Sequence, residues 1–150
     1  MSILIIQENK QARFEYHIIE SFEAGVVLIG SEVKALRLKQ IQFKDSYISF
    51  RGHEAFLQNA HISEYKASSY NNHAPERLRK LLLNHSELIK IASSINEKGL
   101  TCVPLKMYFK EGRVKLEIAL VKGKKLHDKR ESLKKKDSDM QLRRAKQFDR

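Results

Sequence analysis

A single cysteine, Cys102, excludes an internal disulfide and any zinc site built from several cysteines. Tryptophan is absent, and only two prolines and six glycines punctuate the 150 residues. Long hydrophobic runs are missing too. The N-terminal MSILIIQ holds one short apolar run, Ile3–Ile6, with no basic residue before it. A signal peptide needs ~7–15 apolar residues behind positive charge, and a membrane span ~20. A cytosolic chain with no membrane association is therefore expected. Nucleotide-loop and hydrolase signatures (G-x-x-x-x-G-K-[ST], G-x-G-x-x-G, G-x-S-x-G) do not occur. The histidines, His17, His53, His61, His73, His85 and His127, include no H-x-x-x-H pair. Cys102 lies in an expected strand and reads as a core residue. His127-Asp128 is poorly placed as a base and its orienter, because adjacent side chains diverge on strand and helix alike. The expectation is a protein that is not an enzyme and uses no cofactor or metal.

What the chain has in excess is positive charge. Twenty-nine Lys and Arg stand against eighteen Asp and Glu, a net +11. The excess is uneven. Residues 122–150 hold twelve basic and five acidic side chains, +7, leaving seventeen against thirteen in the first 121. In the cytosol such polarity points to a polyanionic partner, usually nucleic acid.

The length suits one domain. FEYHIIESF (14–22) reads as a strand, broken at Ala24-Gly25 and followed by a second, VVLIG. EVKALRLKQ (32–40) changes to helical period, with Ser31 as its cap. SYISF and EAFLQNAHI form a hairpin around Arg51-Gly52-His53. KASSYNNHAPER (66–77) is a polar loop whose Pro75 suits a helix start, and RLRKLLLNH reads as a short helix. HSELIKIASSINEKG follows, with Ser86 as cap, Leu88, Ile91, Ala92 and Ile95 on one face, and Gly99 just past its end. LTCVPLKMYFK and RVKLEIALVK flank Glu111-Gly112, the strongest hairpin signal, and Pro104 marks an edge or a bulge. The expected architecture is mostly β: one small, closed, antiparallel barrel of the oligonucleotide-binding type with about six strands and about three short helices, because closure removes exposed edges.

The single composition shift comes at Lys122, so residues 1–122 are expected to form the barrel and 123–150 a basic tail. The block GKKLHDKR opens that tail. After Gly123 no glycine or proline occurs, and Leu126, Leu133, Met140 and Phe148 form a thin apolar stripe on an otherwise charged helix. Such a segment is expected to be disordered alone and to fold on a polyanion.

Taken together, several blocks resemble the small protein B family, the SsrA-binding proteins. They are N-K-x-A-R-F-E-Y at 9–16, E-A-G at 23–25, G-x-E-V-K-x-L-R at 30–37 and D-S-Y at 45–47. H-I-S at 61–63, N-H at 72–73 and R-x-R-K-L-L-L at 77–83 follow. K-G-L-T-x-V-P-L-K-x-Y at 98–108 and G-K-K-x-H-D-K-R at 123–130 complete the series. The resemblance runs from about Asn9 to the C-terminus. It implies an oligonucleotide-binding-type barrel that grips the tRNA-like domain of transfer-messenger RNA. It also implies delivery of that RNA to stalled ribosomes for trans-translation, with the tail entering the empty mRNA channel as a helix at the small-subunit decoding centre. A monomer is expected. By motif match, Asn9, Lys10, Arg13, Glu23, Arg79, Lys80, Leu82, Asn84 and Lys115 belong to the RNA-facing set. Lys34, Arg37 and Lys106 are added to it, although their charge suits solvent as well as phosphate. Gly123, Lys124, Lys125, His127, Asp128, Lys129 and Arg130 match the block that meets the decoding centre. Glu23 could be a turn acid, but the resemblance makes it an acceptor for RNA donors. Departures from the family pattern are Ala35, Lys39, Gln42, Glu64 and Ala74. Two other readings stay open: a general single-strand-binding module on the same barrel, and an RNA-processing enzyme.

Overall fold

The computed structural model describes residues 3–66 and 72–123. In chain order the elements are β1 (Ile3–Glu8), α1 (Lys10–Glu15), β2 (Tyr16–Val26), α2 (Gly30–Arg37), β3 (Ile41–Gln42), β4 (Tyr47–Arg51), β5 (Glu54–Gln58), β6 (His61–Ile62), β7 (Arg79–Leu82), α3 (His85–Lys98), β8 (Thr101–Lys110) and β9 (Arg113–Gly123). Seven strands form one antiparallel sheet in the order β1-β8-β9-β2-β7-β5-β4, and β3 pairs with β6 apart from it.

The sheet coils but does not close, which corrects the closed barrel of about six strands. β4 comes to lie against β8, yet no ladder joins them. The ladders are irregular around Pro104. β1 pairs with β8 only as far as Glu8 opposite Lys106, and the β8–β9 register shifts between Pro104 and Lys106. Proline has no N–H to offer a ladder, so a bulge here is the expected outcome. Asn9 ends the β1 edge instead: its N–H donates to the Leu105 carbonyl (2.7 Å) and its Nδ2 to the Pro104 carbonyl (2.8 Å).

Local chemistry explains the other differences. Residues 14–15 close a helix rather than open a strand, because Asn9 caps it, accepting from the Ala12 N–H at 3.2 Å. Ala24-Gly25 is no break: Gly25 sits opposite Leu82 of β7, where a Cβ would meet Leu82 Cβ at 3.3 Å. The missing side chain lets the strands meet, and residues 27–29 are not a strand. The helix expected over 32–40 spans Gly30–Arg37. Its start is held by the Glu32 carboxylate accepting from the Ile29 N–H (2.8 Å), not by Ser31. EAFLQNAHI divides at Asn59, whose φ of 64° turns the chain between β5 and β6.

RLRKLLLNH is β7 and not a helix. Arg79 and Leu81 point inward while Lys80 and Leu82 point out, a period of two masked in the sequence by a buried arginine. α3 runs as expected, with Ile91 fully buried and Gly99 left-handed at its end, although Asn84 rather than Ser86 stands at its N-cap. The Glu111-Gly112 hairpin also forms, both residues having positive φ.

The main core lies inside the coiled sheet, with Phe22, Leu36, Leu57, Ile62, Leu81, Ile91, Met107, Leu116, Ile118 and Leu120 among its members. Cys102 belongs to it, and burial pushes its thiol up to about 12, an inert group. A second, smaller cluster lies on the opposite face. There Ala12 of α1 covers Val103, Leu105, Ala119 and Val121.

Candidate nucleic-acid interface

Directly opposed residues on neighbouring strands project to the same face of a sheet. The register therefore assembles one surface across five strands. One row reads Leu82, Gly25, Lys115, Tyr108, Ile5, from β7 through β2, β9 and β8 to β1. The next reads Glu23, Glu117, Lys106, Glu8. A third holds Arg113, Lys110 and Ile3. This is the outer face, because Ala24, Leu81, Met107 and Leu116 between these positions enter the main core. α1 covers one end of it and sends Arg13 back to within 3.8 Å of Glu117.

Expected RNA-facing residues thus meet on this surface: Arg13, Glu23, Lys80, Leu82, Lys106 and Lys115. Lys106 also approaches Glu117 at 3.5 Å, and its ammonium lies 5.7 Å from the Tyr108 ring centroid. Leu82 is 55% exposed, with its side chain beside Gly25 of β2. Lys80, exposed beside it, pairs with Glu54 at 3.2 Å. Asn84 follows at the head of α3, exposed, its N–H donating to Glu87 at 3.2 Å. Asn9 is half-buried and spends its side chain on the α1 cap and the Pro104 carbonyl, while Lys10 beside it is exposed.

Three of the expected residues are placed differently. Arg79 is fully buried, which corrects its assignment to an RNA-facing surface. Its Nε donates to Glu32 (2.5 Å), and its two terminal nitrogens to the carbonyls of Ala60 (2.8 Å) and Pro75 (3.0 Å). Glu32, equally buried, also takes Arg77 at 2.6 Å. Burial raises the Glu32 pKa, but the bonds from Arg77, the Ile29 N–H and Arg79 outweigh it and hold the carboxyl below its ordinary value. This network locks α2 onto β7, and so fixes the strand that presents Lys80 and Leu82. Lys34 and Arg37 are exposed on α2, which packs on β6, and Lys34 lies 5.6 Å from the Tyr65 ring centroid.

Gly123 pairs with Tyr16 at the end of β9, is exposed, and has an ordinary backbone with nothing within 4 Å of an added Cβ. Lys124, Lys125, His127, Asp128, Lys129 and Arg130 lie outside the described residues.

Sequence reasoning missed Lys110 and Arg113 as parts of this surface, and it left Tyr108 between a base-stacking and a core role. The hairpin could have yielded them: a two-residue loop at Glu111-Gly112 sets Lys110 against Arg113, Tyr108 against Lys115 and Lys106 against Glu117. The Tyr108 hydroxyl donates to Glu23, and with Lys110 and Lys115 nearby this holds the Glu23 carboxyl below its ordinary value, against the opposing effect of burial. Among the described residues no group of three or more His, Cys, Asp or Glu could hold a metal ion, and no helix is long and apolar enough to cross a membrane.

The surface offers a carboxylate acceptor, an exposed leucine and several cations on one rigid sheet. Cations neutralise phosphates, while an acceptor among them can read a hydroxyl or amine of the same polymer. Known proteins share the sequence and shape that build it. The model of the family described as SmpB protein matches residues 6–148. The SsrA-binding protein of Bdellovibrio bacteriovorus is 66% identical over 142 residues, covering 95% of this chain and 93% of that protein. That of Syntrophobacter fumaroxidans is 51% identical over 142 residues, covering 95% and 88%. A solved structure described as "tmRNA-SmpB: a journey to the center of the bacterial ribosome" holds a chain 45% identical to this one. It superposes with a TM-score of 0.68 over 80% of this chain and 85% of that one. With these matches and this surface, the chain belongs to the SmpB protein family.

Proposed function

We propose that this protein binds the tRNA-like part of transfer-messenger RNA through the outer sheet face and delivers it to stalled ribosomes for trans-translation. The observation that carries this reading is the convergence of Arg13, Glu23, Leu82, Lys106 and Lys115, from α1 and four strands, on one surface. The names of the relatives and of the structural neighbour supply the RNA and the ribosome.

The chemistry follows from the residues. Arg13, Lys80, Lys106, Lys110, Arg113 and Lys115 release counterions from the RNA backbone, giving affinity without sequence reading. Glu23 accepts from a 2′-hydroxyl or a base N–H, which a phosphate-only surface cannot do. Leu82 packs on a ribose or base. Lys10 and Asn84 flank the face, and Lys34 and Arg37 on α2 add charge at its periphery. Recognition is binding alone and involves no catalytic step, and it takes place in the cytoplasm where ribosomes stall.

The segment from Gly123 has a separate task. Lys124, Lys125, Lys129 and Arg130 contact phosphates at the decoding centre, and His127 stacks on a base, with Asp128 fixing its approach. Residues 131–150 then fold as a helix in the empty mRNA channel, so the protein stands in for the missing codon–anticodon pair. The test is affinity for the isolated tRNA-like fragment of transfer-messenger RNA against an unstructured single strand of equal length. The fragment should bind at least tenfold more tightly. Equal affinity would make the protein a general single-strand binder and overturn the reading.

A further inference from the structure

Glu23 is an acid held close to several cations on the outer face, and the structure shows what keeps it useful. It lines a polar cleft with Lys110, Glu111, Arg113 and Lys115 on the outer face. One oxygen, Oε2, accepts the Tyr108 hydroxyl at 2.5 Å. Lys110 reaches both oxygens at longer range, Oε2 at 3.3 Å and Oε1 at 3.4 Å, and Oε1 has no closer partner among the described residues. Tyr108 itself is 4% exposed, walled in between its strand neighbours, so its hydroxyl has one fixed position. A glutamate on an open strand face otherwise has three rotatable bonds and neighbouring ammonium groups to fold onto.

We propose that Tyr108 is a positioning residue for RNA recognition: its hydroxyl pins Glu23 by one oxygen so that the other faces the cleft as acceptor for a 2′-hydroxyl or base N–H of one nucleotide. Lys110 and Arg113, directly opposed on β8 and β9, take the adjacent phosphate. The arrangement reads a ribonucleotide by two opposite chemistries at once. An acceptor meets the sugar or base, and paired cations meet the backbone. The pin matters because Lys110 already lies 3.3 Å from the carboxylate, and Glu23 freed from Tyr108 would close further onto Lys110 or Lys115 in competition with the RNA. The lowered pKa of Glu23 agrees, since the Tyr108 bond is its largest cause. The groups facing that carboxylate are Tyr108 and Lys110 on β8, Lys115 and Glu117 on β9, and Arg13 of α1, which approaches Glu117.

This inference rests on the proposed RNA face, and the experiment separates the two. Affinity for the isolated tRNA-like fragment of transfer-messenger RNA is measured for the wild type, Tyr108→Phe, Glu23→Ala and the double variant, each checked by thermal melting. Tyr108→Phe keeps the ring and removes one oxygen. It should weaken binding about fivefold to tenfold, the range of one lost positioning hydrogen bond. In the Glu23→Ala background the same change should do nothing, because the hydroxyl acts only through that carboxylate. Equal losses in both backgrounds, or no loss in the wild-type background while Glu23→Ala binds weakly, overturn the role of Tyr108. Undiminished binding by folded Glu23→Ala overturns the RNA face itself. A second observation needs no Tyr108 variant. The hydroxyl proton of Tyr108 should be visible and slowly exchanging by NMR in the wild type and lost in Glu23→Ala; its absence from the wild type would refute the pin. In folded Tyr108→Phe, the Glu23 carboxyl should titrate closer to its ordinary value, and an unchanged titration would also refute it.

Discussion

Replacing Glu32 by Gln tests the lock that presents β7 to the RNA. Glu32 and Arg79 are both 0% exposed, and among the described residues Glu32 is the acid that pairs with Arg79, while Arg77 is partly exposed. The change leaves a buried guanidinium with carbonyl partners but no counter-charge. Breaking a buried pair in this way costs about 3–5 kcal/mol. Small domains have only about 5–15 kcal/mol in all, so roughly a fifth or more of the stability should go. The Tm should fall by roughly 10–20 °C, at about 4 °C per kcal/mol for a domain of this size. Urea denaturation should show a lower midpoint with an unchanged slope. Because the Glu32 pKa is lowered on folding, its contribution is complete above the ordinary value of 4.5 and is lost as pH falls through the folded value. The Gln variant should therefore lose part of its acid sensitivity. Arg77→Ala, removing the partly exposed partner, should cost far less. A Glu32→Gln midpoint within error of the wild type would refute the lock, and with it the structural role given to Arg79.

Three further outcomes are expected. The logarithm of the affinity for the tRNA-like fragment should fall against log salt with a slope of about −0.7 to −0.9 per phosphate contact, and a flat line would remove the basic face as the source of binding. Gly99→Ala should destabilise by about 1 kcal/mol, because its φ of 64° suits glycine, whereas Gly123→Ala should leave melting unchanged, since nothing crowds it and its φ is ordinary; comparable losses would contradict both assignments. Ending the chain after Arg130 should leave melting and fragment binding nearly intact but abolish tagging on ribosomes stalled without a stop codon, and normal tagging by the truncated protein would refute the role given to the tail.

The fold was legible where pattern and chemistry agree. The Glu111-Gly112 hairpin combines a two-residue loop with long alternating strands, and α3 combines a helical apolar stripe with a terminal glycine. β7 was not legible, because tertiary burial of Arg79 against Glu32, 47 residues away in sequence, put a charge where the strand pattern requires an apolar residue. α1 was hidden because six residues carry little periodicity, and its stability comes from the Asn9 cap and the covering of Val103 and Ala119. Closure was over-read. The number of strands suggested a barrel, but whether its edge strands β1 and β4 pair depends on their placement in the fold, which has no local signal. In the site, motif resemblance located Glu23, Leu82 and Lys115, while their common face became visible only through the cross-strand register. Arg79 was included with them because a motif does not distinguish a residue that touches RNA from one that holds the strand in place.

The most direct test of the RNA face is the affinity of Arg13→Ala/Lys115→Ala for the tRNA-like fragment at fixed salt. Neither residue lies in a buried network, so the variant should melt like the wild type. Each change removes one charge-assisted contact of about 1.5 kcal/mol or more, so the double change predicts a loss of roughly a hundredfold or greater and a shallower salt slope. A folded variant that binds with wild-type affinity and slope would contradict the placement of RNA on the outer sheet face.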